Sequence, residues 1–407
     1  MQTLLSDLIK DTADGQEAEA ILRKCVHCGF CSATCPTYQV TGNELESPRG
    51  RIYLIKQMLE GNAVTSETQQ HLDNCLTCRN CETSCPSGVQ YGHLVDIGRK
   101  LVDELVPRTG RDRFKRVVLK EVIGSPLFNV AMAAGQAVRP LLPRVLADKV
   151  PARRSAGVLP NSTHAREVLI LAGCVQPGMI PAIDAATVRV LDAIGLGARV
   201  AAGSGCCGAL RFHMDDQEGG IEQMRTNIDA WWPDIDAGRI EAIVMNASGC
   251  GATVREYGYH LRHDPMYADK ALAVSGLVRD IAEIVAPHAE QLRERMKRAL
   301  PQRVAFHPPC TLQHWQRLRP VTEKLLADLG FPLLPFAESH LCCGSSGAYS
   351  VLHPEMARTL RDRKLGAIGE AQPDMILSSN IGCLTHLQSG TSIPVRHWVE
   401  ALDSALA

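Results

Sequence analysis

Two short cysteine runs constrain this chain more than anything else in it. Cys25, Cys28, Cys31 and Cys35 are followed by Pro36, and Cys75, Cys78, Cys81 and Cys85 by Pro86, so both runs read C-x2-C-x2-C-x3-C-P. Three cysteines at such short intervals can wrap one corner of a metal–sulfur cube. The fourth stands before a proline, which drives the preceding residue into an extended conformation and turns it away from the other three.

Runs of this form are the ligand runs of two-cluster ferredoxins, in which the fourth cysteine ligates the other cluster. The spacing therefore predicts two [4Fe–4S] clusters, one on Cys25, Cys28, Cys31 and Cys85 and the other on Cys75, Cys78, Cys81 and Cys35. A zinc knuckle explains one such run but not two matched runs each closed by Cys-Pro. Four thiolates complete each set, so His27 is read as a residue beside the ligands or exposed. The insert between the runs contains RGRIYLIKQMLEG, an amphipathic helix pattern, and LVDIGRKLVDELV follows the second run. The module is therefore expected to be a helical ferredoxin-like domain. Arg49, Arg51 and Lys56 are read as an ordinary solvated helix face. The alternatives are cations that offset cluster charge or a docking face.

Eight more of the 16 cysteines lie beyond residue 163, in an internal repeat. The first copy is Cys174, Cys206-Cys207-Gly208 and Cys250. The second is Cys310, Cys342-Cys343-Gly344 and Cys383. The step from single cysteine to pair is 32 residues in both copies, and the copies lie 136 residues apart. Repeats of this kind mark duplicated units. Four apolar runs lead into a cysteine (REVLILAGC, EAIVMNASGC, RVAFHPPC and PDMILSSNIGC), and helical segments such as AIDAATVRVLDAIG, EKLLADLG and PEMARTLRDRKLGAI lie between them. The pattern predicts βα units with parallel strands, and cysteines at strand C-terminal ends, where open α/β sheets place ligands. The fold class is thus α+β and multi-domain: a helical two-cluster domain (1–105), a helical connector (106–163), a first CCG repeat (164–300) and a second (301–407). The eight repeat cysteines are candidates for a third iron–sulfur centre, against a reading as buried core or redox thiols. His213, His307, His340 and His386 lie near them and are read as surface or satisfied core histidines.

Composition excludes some roles. A net charge of −1 and 4% aromatic residues do not suit a nucleic-acid binder. The first residues lack a basic segment followed by an apolar run, and no stretch approaches ~20 uninterrupted apolar residues. A cytoplasmic protein is expected, or one peripheral on the inner face of the cell membrane. Residues 113–149 combine basic and apolar residues, which suits an interfacial helix or one packed on protein; Pro140 and Pro143 should end or kink it.

Two ferredoxin runs followed by two CCG repeats resemble the cysteine-rich electron-transfer subunits related to heterodisulfide reductase. Within that group the chain is most similar to the iron–sulfur subunits of bacterial glycolate oxidases. The segments that carry this are CVHCGFCSATCPTYQVTGNELESPRGRIYLIKQMLEGN, CLTCRNCETSCPSGV, ASGCGATVREYG and SHLCCGSSGAYS. The resemblance implies a complex with an FAD-containing catalytic subunit and a second flavoprotein-like subunit, oxidation of glycolate to glyoxylate on the partner, and transfer of electrons to a respiratory acceptor such as quinone. No catalytic residue is expected on this chain. The same wiring would serve lactate or glycerol 3-phosphate, and a CCG-type thiol–disulfide reductase is the reading from another class. The heterodisulfide reductase subunits close each repeat with C-x-x-C, but Thr253 and His386 stand at those positions here. That departure argues against their non-cubane clusters.

Overall fold

In the computed structural model, residues 1–141, 143, 150–171 and 173–407 are described. The N-terminal module is helical, as its sequence pattern predicts. Its main helices are α1 (Ala13–Lys24), α2 (Pro48–Leu59), α3 (Ser66–Asp73) and α4 (Tyr91–Leu105). Local chemistry sets where they start. Thr12 and Ser47 accept the Gly15 and Gly50 N–H groups at 3.0 Å, and Pro48 occupies the first turn of α2. The core lies between one stripe of each helix: Ala18 and Leu22 of α1, Ile52, Ile55 and Leu59 of α2, Leu72 of α3, and Leu94, Val95, Leu101 and Val102 of α4. Gly98 lets α4 approach α2, because a Cβ there would sit 2.7 Å from the Ile55 side chain.

Two connector helices follow, α5 (Gly110–Ile123) and α6 (Pro126–Val138), and a 3-10 turn over Arg139–Leu141 contains Pro140. Residues 142 and 144–149, part of the basic and apolar stretch, lie outside the described residues. Among the described residues no single helix is long and apolar enough to cross a membrane. The connector pair reaches the required length and composition only together, across an 88° bend.

The C-terminal part contains two all-parallel sheets. Strands β1 (Arg166–Ile170), β2 (Leu196–Val200), β3 (Ile243–Met245) and β4 (Val278–Asp280) run in the order β2-β1-β3-β4. Strands β5 (Val304–Phe306), β6 (Met375–Ser378) and β7 (Val395–His397) run in the order β5-β6-β7. The four cysteine-leading runs are β1, β3, β5 and β6. The second sheet keeps a trace of the missing edge strand. Leu333 forms a parallel bridge with Val304, and Leu333 is offset by 136 residues from Gly197 of β2.

The repeats share one core, which joins β1 and β3 residues to β5 and β6 residues. Helices are exchanged across it: α7 (Ala182–Ala193) packs on the C-terminal α11 (Trp398–Leu406), and α8 (Ile281–Val285) packs on α9 (Arg319–Asp328). A long helix, α10 (Pro354–Glu370), follows the second CCG turn.

Candidate iron–sulfur sites

Each ferredoxin-type run winds the same way. His27 and Gly29 in the first run, and Thr77 and Arg79 in the second, all have positive φ (55°, 84°, 47° and 55°). Three of these four are not glycine, so the backbone accepts a left-handed cost of about 1–2 kcal/mol at each. The winding turns the cysteines inward. Cys25, Cys28, Cys31 and Cys85 line one pocket, together with Arg49, Pro86 and Tyr91. Cys35, Cys75, Cys78 and Cys81 line a second. Cys81 borders the first pocket as well.

Hydrogen-bond donors and buried cations surround these thiols. The Tyr91 hydroxyl donates to Cys75 Sγ at 3.5 Å, the Thr77 N–H reaches the same sulfur at 3.4 Å, and Thr37 Oγ1 lies 3.3 Å from Cys35 Sγ. Arg51 is not on the solvated helix face read from the sequence. It is 1% exposed and donates to Glu46 at 2.5 Å, to the His71 carbonyl at 2.7 Å and to Thr37 Oγ1 at 3.2 Å. The helical pattern could not reveal this, because Glu46 and His71, which neutralise and hold the guanidinium, come from other segments. Arg99, also buried, donates to the Leu72 and Cys75 carbonyls. Lys56 pairs with Glu60 on the same helix. Burial pushes the Cys81 thiol well above its ordinary range, and burial with Cys25 nearby pushes Cys31 up to about 11. These thiols ionise most readily when a cation replaces their protons.

The module docks on both repeats through the second run. Arg79 forms a two-point ion pair with Glu256 of the first repeat and stacks 3.5 Å over the ring of Trp315 in the second. The Trp315 indole N–H donates to the Thr77 carbonyl at 3.1 Å, and Ser346 donates to the Leu76 carbonyl at 2.7 Å.

The repeat cysteines line a cavity of about 610 Å³, in which Cys78 and the connector residues Ile123, Phe128 and Met132 also take part. In the first repeat, Cys174 and Cys206, Cys206 and Cys207, and Cys207 and Cys250 lie close enough to shift one another's thiol pKa. In the second, the same holds for Cys310 and Cys342, Cys342 and Cys343, and Cys343 and Cys383. The glycine of each CCG makes this possible. Gly208 and Gly344 have φ of 94° and 88°, and a Cβ would lie 2.9 Å from the Gly220 carbonyl oxygen and 2.6 Å from that of Ala357.

The four histidines differ. His340 is exposed, and His386 Nε2 donates to the Ala357 carbonyl at 3.0 Å, as a surface and a satisfied residue should. His213 lines the cavity, and burial takes its pKa down to about 4. His307 departs from the satisfied-core reading. It is fully buried, and among the described residues neither ring nitrogen has a hydrogen-bond partner. A ring nitrogen of His307 lies within 4.8 Å of Cys343 and Cys383 Sγ. One signal in the sequence could have singled it out. The 136-residue offset pairs His307 with Leu171, so the two copies differ there in chemistry.

Comparison with known proteins agrees with this architecture. Residues 21–89 match the 4Fe-4S dicluster domain, and residues 168–255 and 304–388 match the Cysteine-rich domain. The chain is 51% identical over 408 residues to the glycolate oxidase iron-sulfur subunit of Escherichia coli (strain K12), covering 100% of this chain and 99% of that protein. It is 29% identical to the probable glycolate oxidase iron-sulfur subunit of Bacillus subtilis (strain 168), covering 91% and 89%. Lactate utilization protein A of Geobacillus thermodenitrificans (strain NG80-2) is 25% identical over 54% of this chain and 92% of its own length. With matched domains in this order and identity of that extent, the chain belongs to the family of glycolate oxidase iron–sulfur subunits and is an iron–sulfur electron-transfer subunit of an oxidoreductase complex.

Proposed function

We propose that this chain carries electrons from a flavin-dependent glycolate dehydrogenase to a respiratory acceptor, with quinone as the acceptor. One observation carries the reading of the sites: the fourth cysteine of each run lines the pocket of the other run. Four thiols for each pocket, with Cys81 bordering both and with arginines and N–H and O–H donors around them, fit a [4Fe–4S] cluster. Cys25, Cys28, Cys31 and Cys85 would hold one, and Cys75, Cys78, Cys81 and Cys35 the other. When bound, such clusters supply one-electron redox chemistry. The chain's own residues position the thiolates, offset their charge and exclude water.

The division of labour follows from the likeness to named subunits. Residues 1–105 form the two-cluster domain, 106–163 the connector, and 164–300 and 301–407 the two CCG repeats. An FAD-containing subunit would oxidise glycolate to glyoxylate, and a second flavoprotein-like subunit would complete the complex. Helix α5 exposes Phe114, at 69%, among Arg111, Arg113 and Lys115, and helix α6 exposes Leu127 and Val130, at 73% and 68%. Exposed apolar residues with basic neighbours support peripheral attachment at the inner face of the membrane.

The likeness to lactate utilization protein A favours lactate as the second substrate reading. Anaerobic mixing of the purified complex with each acid separates the two. Glycolate should reduce the clusters, seen by electron paramagnetic resonance, and lactate should not. Reduction by lactate alone would transfer the reading to lactate.

A further inference from the structure

The two repeats are not chemically equivalent. In the second, a ring nitrogen of His307 and the sulfurs of Cys343 and Cys383 lie within 4.8 Å of one another, and all three residues are buried. The His307 backbone is fixed: its N–H donates to the Leu377 carbonyl at 2.8 Å, and its carbonyl accepts from the Ser378 hydroxyl at 2.9 Å. The imidazole is therefore held beside the thiols, while among the described residues neither of its nitrogens is bonded. Burying an unbonded polar group is costly, so a partner is expected. Imidazole and thiolate together suit a thiophilic transition metal.

The 136-residue offset extends the contrast. Lys364 is 2% exposed and stands in the field of Cys310, Cys342 and Cys343, with its ammonium held by the Glu338 carbonyl. The equivalent residues of the first repeat are Leu171 for His307 and Ile228 for Lys364, both buried. A cluster on four thiolates carries net negative charge, and a buried charge needs compensation. Of these two pairs of positions, only the pair in the second repeat offers a nitrogen donor and a cation.

We propose that the second repeat, and not the first, holds an iron–sulfur centre in which His307 is a ligand beside Cys343 and Cys383, with one of Cys310 and Cys342 as the fourth donor. The first-repeat thiols are then a metal-free thiol group. The choice of iron rests on the reading of the chain as an iron–sulfur subunit.

The test uses the full-length chain, purified anaerobically, with iron and acid-labile sulfide measured per chain. Nitrogen couplings are read by pulsed electron paramagnetic resonance on protein with 14N- or 15N-histidine. About twelve irons are expected, falling to about eight in Cys343→Ser and staying at about twelve in Cys207→Ser. A directly coupled histidine nitrogen should vanish in His307→Leu, which installs the first-repeat residue. His307→Cys should keep the iron and lose the nitrogen coupling. The N-terminal cluster signals report folding in every variant.

About eight irons in the unmodified chain, with both N-terminal signals present, would overturn the proposal and leave the two-cluster reading intact. Fewer than eight would count against that reading instead. Equal iron loss in Cys207→Ser and Cys343→Ser, zinc in place of the additional iron, or a nitrogen coupling that survives in His307→Leu would each overturn the assignment.

Discussion

Cys78, in the second ferredoxin-type run, neighbours Cys310, in the second CCG repeat: both line the repeat cavity, and Cys78 is among the groups that push the Cys310 thiol up. Cys78 lines both the second pocket and the large repeat cavity, so one residue borders two sites, and it stands 232 positions before Cys310 in the chain. From this junction the thiol contacts continue through Cys342 and Cys343 to Cys383.

Cys78→Ser should therefore act differently from Cys310→Ala. The first removes a thiolate from the second pocket, and iron should fall by about four per chain. The second leaves both N-terminal pockets intact, and their cluster signals should persist. Iron analysis with electron paramagnetic resonance of the reduced protein distinguishes these outcomes.

The Arg79–Glu256 pair predicts acid sensitivity at the joint between the module and the first repeat. Burial opposes ionisation of Glu256, but His93, 3.5 Å away, and Arg79 hold its carboxyl down at about 2. A depressed carboxyl stabilises the fold above its unfolded pKa of about 4.3. That contribution is lost as pH falls from there through about 2. Hydrogen-exchange protection in residues 75–92, relative to the intrinsic rate at each pH, should fall between roughly pH 4.3 and pH 2. The pH step should disappear in Glu256→Gln, and an equal step in that variant would assign it to other groups.

Arg51 predicts a coupled loss of stability and potential. Arg51→Gln leaves Glu46 buried with only His71 and Asn74 as partners, at 2.7 and 2.8 Å. Breaking a buried pair costs about 3–5 kcal/mol. Removing a positive charge beside Cys35 and Cys75 also disfavours the reduced, more negative state. Thermal melting should shift down, and the midpoint of the second-pocket cluster should move to lower potential in a redox titration.

Gly344→Ala tests the CCG turn. The methyl would meet the Ala357 carbonyl oxygen at 2.6 Å with φ at 88°. Backbone strain alone costs about 1–3 kcal/mol. Gly366 on α10 has nothing within 4 Å of its Cβ position. Gly366→Ala should be neutral or stabilise by up to ~1 kcal/mol. Melting temperatures should move in opposite directions; a Gly344→Ala variant as stable as the parent would remove the steric account of the motif.

Much of the fold was legible because it repeats short-range patterns. Strands β3, β5 and β6 and the last three residues of β1 are apolar runs that are largely buried, and α2, α4, α7 and α9 are amphipathic stretches. Strands β2, β4 and β7 were not anticipated. They are edge or near-edge strands with polar members such as Arg199, Arg279 and Arg396, so no apolar run marks them. Arg51 and His307 were misread for a related reason. A buried arginine and a solvated one have the same local sequence, and only packing assigns the partners.

The ferredoxin-type runs mark in the sequence which thiols can bind metal and which three of each run stand together, because ligand spacing within a run is set by the reach of a few covalent bonds. The sequence also revealed the duplication, through the 136-residue offset. The tertiary structure decided what no spacing records: that Cys78 meets Cys310, that Arg79 ties the module to Glu256 and Trp315, and that His307 is buried without a bonded partner among the described residues. These relationships depend on how separately formed units pack. Packing is fixed by the summed burial and pairing of residues far apart in the chain, not by any local pattern.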